Sequence, residues 1–136
     1  MTRVVQAVAR LRSVVDDGTL ADLCRRHRID LLVLHGSARR DPSTAGDVDL
    51  AYLPEHGTAP DHLDVVNDLI ELIGEEVDVM PLHRAEPVAA HAALGEGEPL
   101  VELTPHRYAL AQMRAFGEYR DTQGLRDLPL SLLGRR

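Results

Sequence analysis

Three aspartates in this chain have the type and spacing for chemistry: Asp47, Asp49 and Asp78. Asp47 and Asp49 open the run Asp-Val-Asp-Leu-Ala-Tyr-Leu. Alternate residues of a strand share a face, so both carboxylates leave it together while Val48 and Leu50 point into a core. Two such carboxylates repel unless something positive sits between them. A bare Asp-x-Asp is more often a pair of solvated acids than a site. Asp78 lies between Val77 and Val79, and an acid inside a short apolar strand is costly unless it is paired or binds a metal. If the two strands are neighbours, the three carboxylates form a cluster suited to two Mg²⁺ ions, which take oxygen ligands and bind phosphates directly. Glu75 and Glu76 read instead as surface charges at a helix exit.

Gly36-Ser37 is the second feature, directly after the apolar run Ile29 to His35. Glycine lets a backbone approach a ligand closely, the following N–H groups can cradle an anion, and the serine adds a hydroxyl donor. Alone, such a pair is usually a plain strand-to-helix turn.

The elements that must position these residues follow from periodicity. Val4, Val5, Val8, Leu11 and Val15 recur at helical spacing. Asp16-Asp17-Gly18 stops that helix, and Thr19 can cap the next, from Leu20 to His27. Strands are expected at Ile29–His35, Asp47–Leu53 and Glu76–Met80, the last closed by Pro81. Between the first two lies a polar stretch, 38–46. Asp61 to Ile73 reads as an amphipathic helix with Leu63, Val66, Leu69, Ile70 and Ile73 on its apolar side, ended by Gly74. Glu86 to Leu94 is expected helical, Leu100 to Leu103 extended, and Thr104-Pro105 caps a last helix running to about Arg120. Strands alternating with helices imply an α/β arrangement, a small mixed β-sheet flanked by helices. The 136 residues are expected to form a single domain, 1–136, with its core at about 20–103 and a C-terminal helix and tail at 104–136.

Composition narrows the function. Acids outnumber bases, 22 to 15, for a formal charge of −7, the wrong sign for general affinity to nucleic acid. Aromatic residues are only 3% of the chain, too few for the stacking platforms of single-strand binders. Every base is arginine, which excludes a P-loop lysine, a Schiff-base lysine and an adenylated lysine. Cys24 is the one cysteine, so neither an internal disulfide nor a cysteine zinc site is available, and an inert buried thiol is expected. No leader pattern and no membrane-spanning apolar run is present, so a soluble, cytoplasmic protein without membrane contact is expected.

Taken in order, His-Gly-Ser-Ala-Arg-Arg, then Gly-Asp-Val-Asp-Leu, then Val-Asp-Val, the sequence resembles the polymerase-β-like nucleotidyltransferases, specifically the small MNT group. The likeness extends over about residues 20–103 and implies that nucleotidyltransferase fold. It implies that Gly36 and Ser37 bind the phosphates of ATP, that Arg40 steadies the triphosphate, and that Asp47 and Asp49 bridge two Mg²⁺ ions. Asp78 would share one metal and help deprotonate an attacking hydroxyl, with pyrophosphate leaving. Two departures stand out. Nine residues, 38 to 46, separate Ser37 from Asp47, one fewer than is commonest, and Gly46 replaces a frequent serine. The shorter loop puts the phosphate clamp in doubt more than metal binding.

Small MNT proteins are commonly antitoxins that AMPylate a tyrosine of a HEPN ribonuclease toxin. The resemblance therefore implies a HEPN-type toxin as partner and a protein AMPylation activity. Two alternatives remain: a non-catalytic antitoxin that acts by binding, and a small-molecule, aminoglycoside-like nucleotidyltransferase. The latter usually carries a further helical domain for which this chain lacks length.

Other residues read more blandly. His35 abuts the Gly-Ser turn but is expected to be packed or hydrogen-bonded, and the other histidines lack metal-ligand spacing. Arg25-Arg26-His27-Arg28 and Arg135-Arg136 read as solvated faces. Ala109, Leu110, Met113 and Phe116 are expected in the core. The leucine-rich tail, Leu125 to Leu133, reads equally as a docking segment or as packing on the protein's own body.

Overall fold

A computed structural model describes residues 2–126, so the tail from 127 onward, with its docking reading, lies outside the described residues. Four strands form one mixed sheet in the order β3-β2-β1-β4. They are β1 (Ile29–His35), β2 (Val48–Pro54), β3 (Val77–Pro81) and β4 (Glu98–Glu102). β1 is antiparallel to both β2 and β4, whereas β2 and β3 are parallel. The parallel pair needs a crossover, supplied by α4 (His62–Ile73).

Helices cover both faces. On one face α1 (Arg3–Asp16), α2 (Thr19–Arg26) and α4 pack Leu11, Leu20 and Leu69 against Leu32, Leu34 and Leu50. On the other, α5 (Pro87–Gly95) and α6 (Arg107–Arg126) set Ala90, Ala93, Ala111 and Ala115 against Leu31, Val33 and Ala51. β1, buried on both sides, is for that reason a continuous apolar run.

Local signals account for most boundaries. The Asp61 side chain accepts from the N–H groups of Leu63 and Asp64 at 3.0 and 3.3 Å, capping α4, and Gly74 ends it at φ 141°. Gly18, not Thr19, caps α2, and Asp17 instead accepts from Thr19 N at 2.9 Å. One helix was hidden inside the polar stretch: the single turn α3 (Ser37–Arg40).

Two apolar faces differ from expectation. The buried line of α4 is Val65, Leu69 and Ile73, while Leu63 is exposed. On α6 the core residues are Ala111 and Ala115, whereas Ala109, Leu110, Met113 and Phe116 face outward. Small side chains let α6 lie close against α5, where Gln112 Nε2 and Tyr108 Oη reach the Leu94 carbonyl at 2.9 and 2.7 Å. The larger residues are thereby turned away. No helix among the described residues is long and apolar enough to cross a membrane.

Candidate active site

Strand register assembles the candidate site. In the antiparallel β1–β2 pair His35 stands opposite Asp49, and in the parallel β2–β3 pair Asp49 stands opposite Asp78. The three form a row across the sheet, on the face that carries Leu31, Val33 and Ala51. Asp47, two residues before Asp49, joins the same side, and Val48 N donates to Glu76 O at 2.7 Å to tie the entrance of β2 to β3. Carboxylate oxygens of Asp47, Asp49 and Asp78 all lie within 4.8 Å of one another. Val48 and Leu50 are fully buried on the opposite face, as the alternation requires.

Gly36 adjoins this row for a reason its neighbours make plain. Its φ of 76° and ψ of −162° lie where only glycine is at ease, and a Cβ there would run into the Asp49 carboxylate. Ser37 begins α3 immediately afterwards. The turn and the acids are therefore in contact, although residues 38–46 separate them in sequence.

The three carboxylates repel one another. The carboxyl of Asp49 is pushed up to about 6, first by burial and then by the charges of Asp47 and Asp78. Three crowded acids, all presenting oxygen donors and in no ion pair with a base among the described residues, fit a hard divalent cation such as Mg²⁺. His35 is held below its ordinary range by burial, against the opposing pull of Asp78. Its Nε2 is buried without a hydrogen-bond partner.

Arg40 makes its ion pair outside the cluster. Its Nη1 donates to Glu96 Oε2 at 2.9 Å, in an exposed pair beyond the end of α5. A cavity of about 470 Å³ beside α6, lined by Leu53, Leu82, Ala90, Leu110 and Ala111 among others, includes none of the three aspartates.

Residues 19–105 match the family described as polymerase beta, nucleotidyltransferase. This chain belongs to that family. The polymerase β nucleotidyltransferase match covers the sheet, α2 to α5 and every member of the acid cluster. Solved structures agree on the fold. A chain of a toxin–antitoxin structure with AMP-PNP is 21% identical with a TM-score of 0.67, over 80% of this chain and 90% of that one. A chain of a complex between the tri-AMPylated HEPN toxin of Shewanella oneidensis and its MNT antitoxin is 20% identical with a TM-score of 0.63, over 80% and 87%. A chain of the MntA–HepT toxin–antitoxin structure gives 20% and 0.63, over 80% and 88%. No curated protein matches the chain significantly.

Three features of the site region were not readable as motifs: the unpartnered nitrogen of His35, the Glu96 partner of Arg40, and the contact between Gly36 and Asp49. Only the last left a signal, the glycine itself.

Proposed function

We propose that this nucleotidyltransferase transfers AMP from ATP to a protein hydroxyl, a tyrosine of a cognate HEPN-type toxin, and so acts as that toxin's antitoxin. The observation that carries the reading is the cluster of Asp47, Asp49 and Asp78 beside Gly36-Ser37 on a chain of this family. The partner is supported by the similar structures, one of which holds an AMPylated HEPN toxin with its MNT antitoxin.

Asp47, Asp49 and Asp78 would hold two Mg²⁺ ions, which when bound neutralise phosphate charge and lower the pKa of an acceptor hydroxyl. The chain's own residues then position and exchange protons. Gly36 leaves room for a phosphate to approach backbone, and Ser37 offers its hydroxyl and N–H to that phosphate. The acceptor oxygen forms a bond to the α-phosphorus while the bond to the β-phosphate oxygen breaks. Pyrophosphate leaves with the electron pair, and the acceptor's proton passes to Asp78. Positioning supplies most of the remaining rate.

Incubation with α-labelled ATP, Mg²⁺ and the product of the adjacent gene tests this directly. Label is expected on that protein's tyrosine, and Asp47→Asn with Asp49→Asn is expected to reduce it to background. Undiminished labelling by the double variant would remove the metal argument.

A second reading, an antitoxin that neutralises by binding alone, is favoured by two observations. The loop 38–46 is short, and Arg40 is engaged with Glu96. A stable complex that never acquires label would select it.

A further inference from the structure

The sheet has two edges, β3 and β4, and they are finished differently. β4 carries Pro99, which has no N–H to offer, and its Glu98 and Glu102 accept from Arg12 and from the N–H of Tyr108. β3 has no proline before Pro81, and its one charge is Asp78. The bond from Val48 N to Glu76 O, at 2.7 Å, fixes the phase of the parallel ladder. Glu76, Asp78 and Met80 turn their backbone groups to β2, so Val77 and Val79 turn theirs outward. Neither the N–H nor the C=O of these two valines has a hydrogen-bond partner among the described residues. Alternating donors and acceptors along an extended backbone are matched by another extended backbone, not by a helix or an apolar patch.

Register then says which residue of an added strand matters. Facing residues on neighbouring strands leave the sheet on the same side, with the strands about 4.8 Å apart. A residue set opposite Asp78 therefore extends its side chain over the face that holds Asp47, Asp49 and Asp78. On that face Asp78 is exposed and Met80 half-buried, while α5 and α6 pack over β1.

We infer that the free edge of β3 takes an extended segment of the acceptor protein as an added strand, with the acceptor hydroxyl on the residue facing Asp78. An apolar residue two positions away would face Met80. The inference rests on the reading above that the acceptor is a protein hydroxyl, and it adds how that hydroxyl is presented to the acids. A second copy of this chain is a poorer occupant. Pairing β3 with its own counterpart would bring another cluster of Asp47, Asp49 and Asp78 to the same edge, and these acids are in no ion pair with a base among the described residues. Glu75 before the strand and Arg84 after it are both exposed and opposite in sign, so the ends of the edge do not choose by net charge. Backbone pairing and Asp78 make the choice.

The test measures amide hydrogen exchange of the full chain, alone and with the product of the adjacent gene, in Mg²⁺ without ATP. Exchange at Val77 and Val79 is expected to slow by at least about tenfold in the complex. Asp78 and Met80, whose N–H groups face β2, are the internal reference. Val79→Pro removes one outward N–H and no bond to β2, at a place where an edge strand tolerates proline. Its Mn²⁺ affinity is expected to stay within about threefold of the original, while KM for the acceptor protein rises at least about tenfold. Unchanged exchange at Val77 and Val79 in a formed complex overturns the proposal. So does an unaltered KM in the proline variant, the absence of any complex, or slow exchange in the isolated chain that light scattering traces to a self-dimer. Failure of the chemical reading looks different: both valine amides are protected in the complex, and no AMP is transferred.

Discussion

Asp49 and Asp78 stand directly opposite each other on neighbouring parallel strands. Burial, and after it repulsion from Asp47 and Asp78, raises the Asp49 carboxyl to about 6 from an ordinary 3.8. A carboxyl raised on folding binds more protons in the native state than in the unfolded one across that interval. Its contribution to stability is therefore fully felt below pH 4 and is lost as pH rises through 6. His35, lowered by burial, works in the opposite sense, because stability is lost as pH falls below its unfolded value of 6.5. The clean measurement is a difference. The stability of the original chain minus that of Asp49→Asn, from urea denaturation without divalent cations, is expected to fall between pH 4 and pH 6. Saturating Mg²⁺ is expected to remove that fall. A flat difference without Mg²⁺ would mean that the acids are not coupled.

Gly36 gives a sharper geometric prediction. Alanine at φ 76° is strained, and its Cβ would displace the Asp49 carboxylate. The strain alone costs about 1–3 kcal/mol. Gly36→Ala is expected to lower stability by that amount and to weaken Mn²⁺ binding beyond what the fraction unfolded explains. Gly57→Ala, at the same φ but with open space around it, is the control, and only its stability is expected to fall.

The acid cluster was legible before the fold because alternation is rigid: once Val48 and Leu50 are buried, Asp47 and Asp49 have nowhere to go but the other side. Partnership with Asp78 was legible only on the condition that its strand neighbours β2, or through the resemblance, since strand order depends on how α4 crosses between β2 and β3. α6 misled for a physical reason. Leu110, Met113 and Phe116 carry the hydrophobicity, but close packing against α5 selects Ala111 and Ala115, and hydropathy cannot tell a face buried in the core from one left outward. On α4 the buried line follows steps of four, Val65-Leu69-Ile73, so Leu63 falls two residues off it. α3 was unreadable because a single turn has no periodicity.

His35 carries an unpaired nitrogen at a cost. Burying a polar atom without a partner opposes folding by about 1–3 kcal/mol. His35→Phe keeps a ring of similar breadth and removes that atom. It is expected to raise the urea midpoint, by roughly 1 kcal/mol of stability after some loss of fit. A lower midpoint would show that the nitrogen has a favourable partner in solution.

Asp30 is the one buried charged residue among those described, and it anchors α6 to the sheet. Arg107 Nε donates to its Oδ2 at 3.0 Å and Thr104 Oγ1 to its Oδ1 at 2.7 Å, while Leu103 N donates to its carbonyl at 2.9 Å. Arg107 also reaches the Pro54 carbonyl at 3.3 Å, joining the starts of β1 and α6 to the end of β2. A buried pair adds little net stability over apolar residues of the same size, but removing one partner strands the other charge. Asp30→Leu or Arg107→Met alone is expected to cost about 3–5 kcal/mol in urea denaturation. The double change is expected to recover most of that loss, since neither charge is then left unpaired. Single losses that simply add in the double variant would show that the two side chains do not act as a pair.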